Sequence, residues 1–135
     1  MIEGILSKDV DVWWPYVKEY LSSALEQSLG EYSLEDIRNA CKEADMQLWI
    51  KTDKDVLGAC VTKINTYPQK KILVLLLLGG KGFIEWTDEG NVLMSSFAKE
   101  NNCDYLQVFG RKEWTRRLKE LKYKNNNVIL TKEIY

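Results

Sequence analysis

Residues 75–86 read LLLLGGKGFIEW: an apolar run stops, three glycines fall within four positions around Lys81, and an amphipathic stretch begins. Bare glycine amides before a helix can hold a phosphate, because orphan N–H groups and the helix dipole both favour an anion. A strand-to-helix turn that needs positive φ would use the same residues. Both readings stay open for Gly79, Gly80, Lys81 and Gly82. Other chemistry is narrowed by what the chain lacks. It has no histidine, so no Ser-His-Asp or Cys-His pair and no histidine-containing metal site can be built. Cys41, Cys60 and Cys103 form no CxxC, which removes a structural zinc site. Any reaction must therefore begin from an already activated substrate, or rest on carboxylates, tyrosines, lysines and backbone dipoles.

Glu43, Asp45, Glu85, Asp88 and Glu89 are each conceivable bases for accepting a proton from an amine. Nothing ranks them, and no catalytic residue is assigned. Charge is uneven: residues 1–60 carry 12 acids and 6 bases, whereas residues 61–135 carry 8 acids and 13 bases. Seven of those bases lie in 111–124: Arg111, Lys112, Arg116, Arg117, Lys119, Lys122 and Lys124. They read as a solvated helix face or as an attractor of phosphate. Arg111 and Lys112, at the start of the last helix, are placed to reach a phosphate, and a guanidinium suits its geometry. The net charge of −1 and the interspersed Glu113 and Glu120 argue against nucleic acid as partner.

These residues need a frame. At 135 residues the chain reads as one domain, 1–135. Its longest apolar run, Ile72–Leu78, is far short of a membrane span, and the acidic N-terminus does not resemble a signal peptide. The scattered cysteines sit among apolar neighbours and read as buried thiols in a reducing, cytoplasmic setting. Met1–Leu6 suggests a first strand. Trp13, Val17, Leu21, Ala24 and Ser28 recur at helical spacing over about 12–28, with Pro15 in the first turn. Of Trp13 and Trp14, one is expected to face inward and the other a groove or a subunit contact. Ser33–Asp36 forms a capping signal for a helix carrying Ile37, Ala40, Cys41 and Ala44.

MQLWIKT, a polar turn at 52–55 and VLGACVTKINTY read as a hairpin; Tyr67–Lys70 is a second turn. ILVLLLL, apolar on both faces, suggests a central strand covered on each side. A helix bearing Trp86, Gly90, Leu93 and Phe97 runs to about Asn101, then a strand at 104–109. A last helix carries Trp114, Leu118 and Leu121 as core residues, and Val128–Ile134 is expected to close the sheet. The order is β-α-α-β-β-β-α-β-α-β, an α/β fold with a central mixed sheet flanked by helices. The glycines stand at the carboxyl end of a central strand, where open α/β sheets bind ligands.

This order, with glycines between the fourth strand and third helix, resembles the GNAT superfamily of N-acetyltransferases across essentially the whole chain. The carriers are ILSKDVDVWWPYVKEYL, YSLEDIRNACKEADMQLWI and CDYLQVFGRKEWTRRLKELKYK. The likeness is greatest to short GNAT-like proteins of tailed bacteriophages, some of which are packaged as virion proteins. The resemblance implies acetyl-CoA as cofactor and transfer of its acetyl group to an amine of a small molecule or protein. The alternative is a catalytically degenerate bacteriophage virion or host-interaction protein, resident in the host cytoplasm or the virion. It further implies that Gly79, Gly80, Lys81, Gly82 and Arg111 meet the cofactor phosphates. Leu76 and Leu78 would lie along the acetyl and pantetheine path beside Tyr105–Phe109. Two departures stand out. The loop lacks the family's leading Gln or Arg, and Leu118 occupies the place of a tyrosine that protonates the leaving thiolate.

Overall fold

The computed structural model describes residues 1–81, 83–110, 112–125 and 127–134, with the backbone alone for Phe83, Ile84 and Glu85. Strand β1 (Ile2–Ile5) leads through a 3-10 turn at Ser7–Asp9 into helix α1 (Val10–Leu25). Helix α2 (Leu34–Lys42) follows, then strands β2 (Gln47–Asp53), β3 (Asp55–Thr66) and β4 (Lys71–Gly80). Helix α3 (Phe83–Glu100), strand β5 (Tyr105–Val108), a 3-10 turn at Lys112–Trp114 and helix α4 (Thr115–Glu120) complete the order. One five-stranded sheet runs β1-β2-β3-β4-β5; every pair is antiparallel except β4–β5, which is parallel. This is the expected mixed sheet flanked by helices. Among the described residues, no helix is long and apolar enough to cross a membrane.

Each face of the sheet has its own core. Helices α1 and α2 cover one face, where Val17, Leu21 and Ile37 meet Leu48, Ile50, Val61 and Leu77. Helix α3 covers the other, where Trp86, Met94 and Ala98 meet Trp49, Cys60 and Leu73. Strand alternation sends Leu48 and Ile50 to one side and Trp49 to the other. Each large apolar side chain withdrawn from water in this way stabilises the fold by about 1.5–3 kcal/mol. Trp49 is anchored as well as buried. Its Nε1 donates to Thr62 Oγ1 at 2.9 Å, Thr62 donates on to Gln47 at 2.8 Å, and Phe97 packs edge-on at 5.0 Å.

Several expectations shift. Helix α1 starts two residues early, because the 3-10 turn feeds straight into it and Val10 is buried. Pro15 therefore sits in the second turn rather than the first. Trp14 is the inward tryptophan; Trp13 is partly buried and meets Tyr16 edge-on at 6.1 Å. The capping box forms as read, with Asp36 N–H donating to Ser33 Oγ at 3.1 Å and Ser33 N–H to Asp36 at 2.8 Å. Helix α2 stops before Ala44, which lies at φ 64°. Helix α3 runs through Gly90 unbroken. Trp114 lies in the 3-10 turn ahead of α4, partly exposed rather than core.

The largest correction concerns the end of the chain. Val128–Ile134 does not close the sheet: no ladder includes these residues, and their aliphatic side chains are exposed. Strand preference is a preference for a half-buried pleated surface. Here α4 is tied to α3 by Arg117 to Asp88, and the path after it by Tyr123 Oη donating to Asn91 at 3.1 Å.

Burial also shapes the response to pH. It pushes the thiols of Cys41 and Cys60 from 9.0 up to about 12, and the Tyr123 phenol from 10.0 up to about 12. The fold thus favours the neutral forms, so their contribution is complete below pH 9 and is lost as pH climbs towards 12. Melting temperature is expected to fall steadily above pH 9 in a differential scanning series. A thiol reagent at neutral pH should modify the half-buried Cys103 well before the other two cysteines. A melting temperature flat across that alkaline range would contradict the assignment.

Candidate cofactor cleft

The centre of the molecule is the second half of β4. Its pairing with β3 slips one residue between Leu75 and Leu77, which face Thr62 and Val61, so Leu76 is a β-bulge. A bulge bends its strand and increases the local twist. On the other side, pairing with β5 ends at Leu75–Val108, apart from Phe109 N–H donating to the Leu75 carbonyl at 3.0 Å. Past that point β4 continues to Gly80 with β3 alone, while β5 stops and turns at Gly110. Lys81 N–H donates to the Leu57 carbonyl at 3.2 Å. Antiparallel alternation then turns the amides of Leu77 and Gly79 to β3, and those of Leu78 and Gly80 to the side that β5 has left.

A cleft of about 1480 Å³ opens there. Leu76, Leu77 and Leu78 form its floor, β5 and Phe109 one wall, and the end of α1 with residues 27–32 the other. The 3-10 turn before α4, α4 itself and the chain after it contribute Lys112, Lys119, Lys122 and Lys124, against one lining carboxylate among the described residues, Glu31. The cleft therefore attracts anions. Glu31 accepts from Leu29 N–H at 2.6 Å, which orients it within its loop.

The glycines have a packing reason that the loop reading does not contain. Gly79 and Gly80 are ladder residues opposite Ala59 and Gly58. A Cβ on Gly79 would lie 2.1 Å from the Tyr20 carbonyl oxygen of α1. One on Gly80, at φ 135°, would lie 2.6 Å from Gly58 Cα, and one on Gly58 would lie 2.4 Å from the Trp86 ring of α3. Here α1 comes onto the sheet at backbone distance, and α3 reaches it through the Trp86 ring. The bend into α3 therefore begins at Lys81 rather than Gly79, and the Lys81 amide is already committed to Leu57. Gly82 and Arg111 lie outside the described residues.

The basic segment divides by role. Arg117 is a clasp: Nε donates to Thr87 at 2.9 Å, one terminal nitrogen pairs with Glu120 at 2.8 Å, and the other with Asp88. Four lysines face the cleft instead. Among the bases considered from sequence, Asp88 is engaged by Arg117, and Glu89 accepts from Ile2 N–H at 2.5 Å. Neither they nor Glu43 and Asp45 line the cleft. Tyr123 does, with its hydroxyl on Asn91 and its phenol held neutral by burial. Glu31 and the Tyr123–Asn91 pair were not singled out from the sequence. Glu31 sits in an irregular loop, and Asn91 is 32 residues from its partner, so neither carries a local signal.

No protein-family description and no curated protein sequence matches this chain. Solved structures do. A predicted acetyltransferase with acetyl-CoA from Clostridium acetobutylicum superposes with a TM-score of 0.66 at 11% identity, covering 98% of this chain and 95% of that one. A ribosomal-protein-alanine N-acetyltransferase from Brucella melitensis gives 0.66 at 11%, covering 100% and 98%. An aminoglycoside acetyltransferase from an uncultured soil metagenomic sample, in complex with sisomicin, gives 0.66 at 11%, covering 100% and 96%. The fold is that of the GNAT acetyltransferases. Within this GNAT frame, Leu76 and Leu78 line the cleft, and Gly79 and Gly80 follow directly beyond it. Leu118 lines both the cleft and an apolar cavity of about 50 Å³ beside Trp86 and Met94. A leucine there is matched to apolar surroundings.

Gly79→Ala should be costly, because the clash is with backbone that cannot turn aside. A loss of about 1–3 kcal/mol is expected in urea denaturation. A change within about 0.5 kcal/mol, the range of an ordinary surface substitution, would show that α1 does not pack as closely as described.

Proposed function

We propose that this chain binds acetyl-CoA in the cleft and transfers its acetyl group to an amine of a small molecule or protein. The observation that carries this reading is the divergence of β4 from β5 at the Leu76 bulge. It leaves the Leu78 and Gly80 amides turned towards an open, lysine-lined space. Those groups fit the cofactor: outward amides for carbonyl oxygens, an apolar floor for the pantetheine arm, and ammonium groups for phosphates. A thioester arrives activated, which matches a chain without histidine. Lys112, Lys119, Lys122 and Lys124 supply charge for the phosphates. Glu31 is the carboxylate positioned to hold an incoming amine or take its proton. The Tyr123 hydroxyl, kept protonated, can return a proton to a leaving thiolate.

A second reading, a catalytically degenerate descendant of the fold acting as a bacteriophage virion or host-interaction protein, is favoured by Leu118 and by the committed Lys81 amide. Calorimetry with acetyl-CoA on folded protein tests the first reading. Submillimolar binding is expected, and silence at millimolar cofactor would overturn it in favour of the second. Lys112→Glu with Lys119→Glu should weaken binding roughly tenfold, given about 0.2–1 kcal/mol per exposed ion pair plus the added repulsion. Glu31→Gln should leave binding intact and lower turnover with polyamine or peptide amines. Binding without turnover across such a panel would favour the non-catalytic reading.

A further inference from the structure

Two unsatisfied features lie at the same end of the sheet. The first is the chain end. Val128, Ile129, Leu130 and Ile134 are 77, 82, 90 and 84% exposed, four large aliphatics left in water within seven residues. The stretch VILTKEI has no glycine or proline and is rich in strand-favouring side chains. The second is β5, the last strand in the sheet order. Phe109 donates towards β4, so parallel alternation turns the N–H and C=O groups of Leu106 and Val108 to the outer side. Tyr105 and Phe109 are exposed beside them. A bare strand edge is a template for another strand.

We infer that Val128–Ile134 adds to the β5 edge of a second copy of this chain, and that the exchange is reciprocal. Each copy carries one donor segment and one acceptor edge, so a single two-fold operation satisfies both and closes the assembly. Within one copy, Ile129 lines the same cleft as β5, yet the segment forms no ladder with it. The tie from Tyr123 to Asn91 holds the preceding chain on α3. The area suffices. Each of the eight aliphatics in a dimer would cover about 60–120 Å² of its own surface at the usual coefficient. With the surface they cover, the total is about 1,000–2,000 Å², the range of stable interfaces. Because β5 walls the cleft, the partner's strand would then extend that wall.

Light scattering on the full chain should give twice 15.7 kDa at micromolar concentration. Two variants act on the donor without touching the core: Ile129→Asp with Leu130→Asp, and Thr131→Pro, which removes a ladder N–H. Both should be monomeric with an unchanged helical circular dichroism signal. Hydrogen exchange at Leu106 and Val108 should be about 100-fold slower in the dimer than in either variant, because ladder amides exchange only on opening. A monomeric parent chain would overturn the inference. So would a dimer that persists in both variants. Protected Leu106 and Val108 in a monomer would show instead that the segment closes its own sheet.

Discussion

Everything in this molecule is arranged around the point where β4 meets α1 and β3 at backbone distance. Gly79 lies under the Tyr20 carbonyl, Gly80 against Gly58, and Gly58 under Trp86. No side chain fits between β4 and α1 or β3 here, and α3 reaches Gly58 through the Trp86 ring, so both helix layers are fixed to the sheet at this point. A strand held that tightly on one side, and bulged at Leu76, cannot also stay parallel to a four-residue neighbour. The cleft follows from that mismatch. It is the space left when β4 continues and β5 does not.

The same constraint explains how charge is distributed. With α1 pressed onto the glycines, its C-terminal end and the 27–32 loop form one lip of the cleft. Helix α4 and the chain beyond it form the other. Glu31 of the acidic first half therefore faces four lysines of the basic second half across the opening. Arg117 donates from all three guanidinium nitrogens, to Thr87, Asp88 and Glu120, and so fixes α4 on α3. The lysines on the remaining faces of that helix and its flanks are left to line the opening. At the outer side of the sheet, Asp11 performs a similar task. It joins α1 to α2 through Arg38 at 2.8 Å and Lys42 at 3.0 Å, and these cations hold its carboxyl below the usual range.

Much of the fold was legible because it is written locally. Ser33 and Asp36 cap α2 through bonds three residues apart. The run ILVLLLL is apolar at every position because β4 is covered on both faces. The 52–55 turn joins β2 to β3 as its polar residues suggest. What was misread depended on distant partners. Val128–Ile134 has a strand's composition, but a strand exists only where an edge accepts it. Trp114 has helical spacing with Leu118, yet it folds against Gly110 at the margin of the cleft. Of the carboxylates weighed as bases, none announced that it would be tied to Arg117 or to the first strand's amide. Glu31, which reaches the cleft, had no pattern to mark it.

The sequence by itself determined the element types up to the last helix, the layer order and the exclusion of histidine chemistry. Those follow from periodicity, capping and composition, which act within a few residues. It also marked 79–82 as special, since three glycines so placed must answer some steric demand. Only the tertiary structure decided what that demand is. The glycines let a helix carbonyl and a neighbouring strand come within contact of β4, and the amides turned outward are those of Leu78 and Gly80. That outcome depends on the register of β3 and on the early end of β5, quantities set by long-range packing and not by any short stretch of chain.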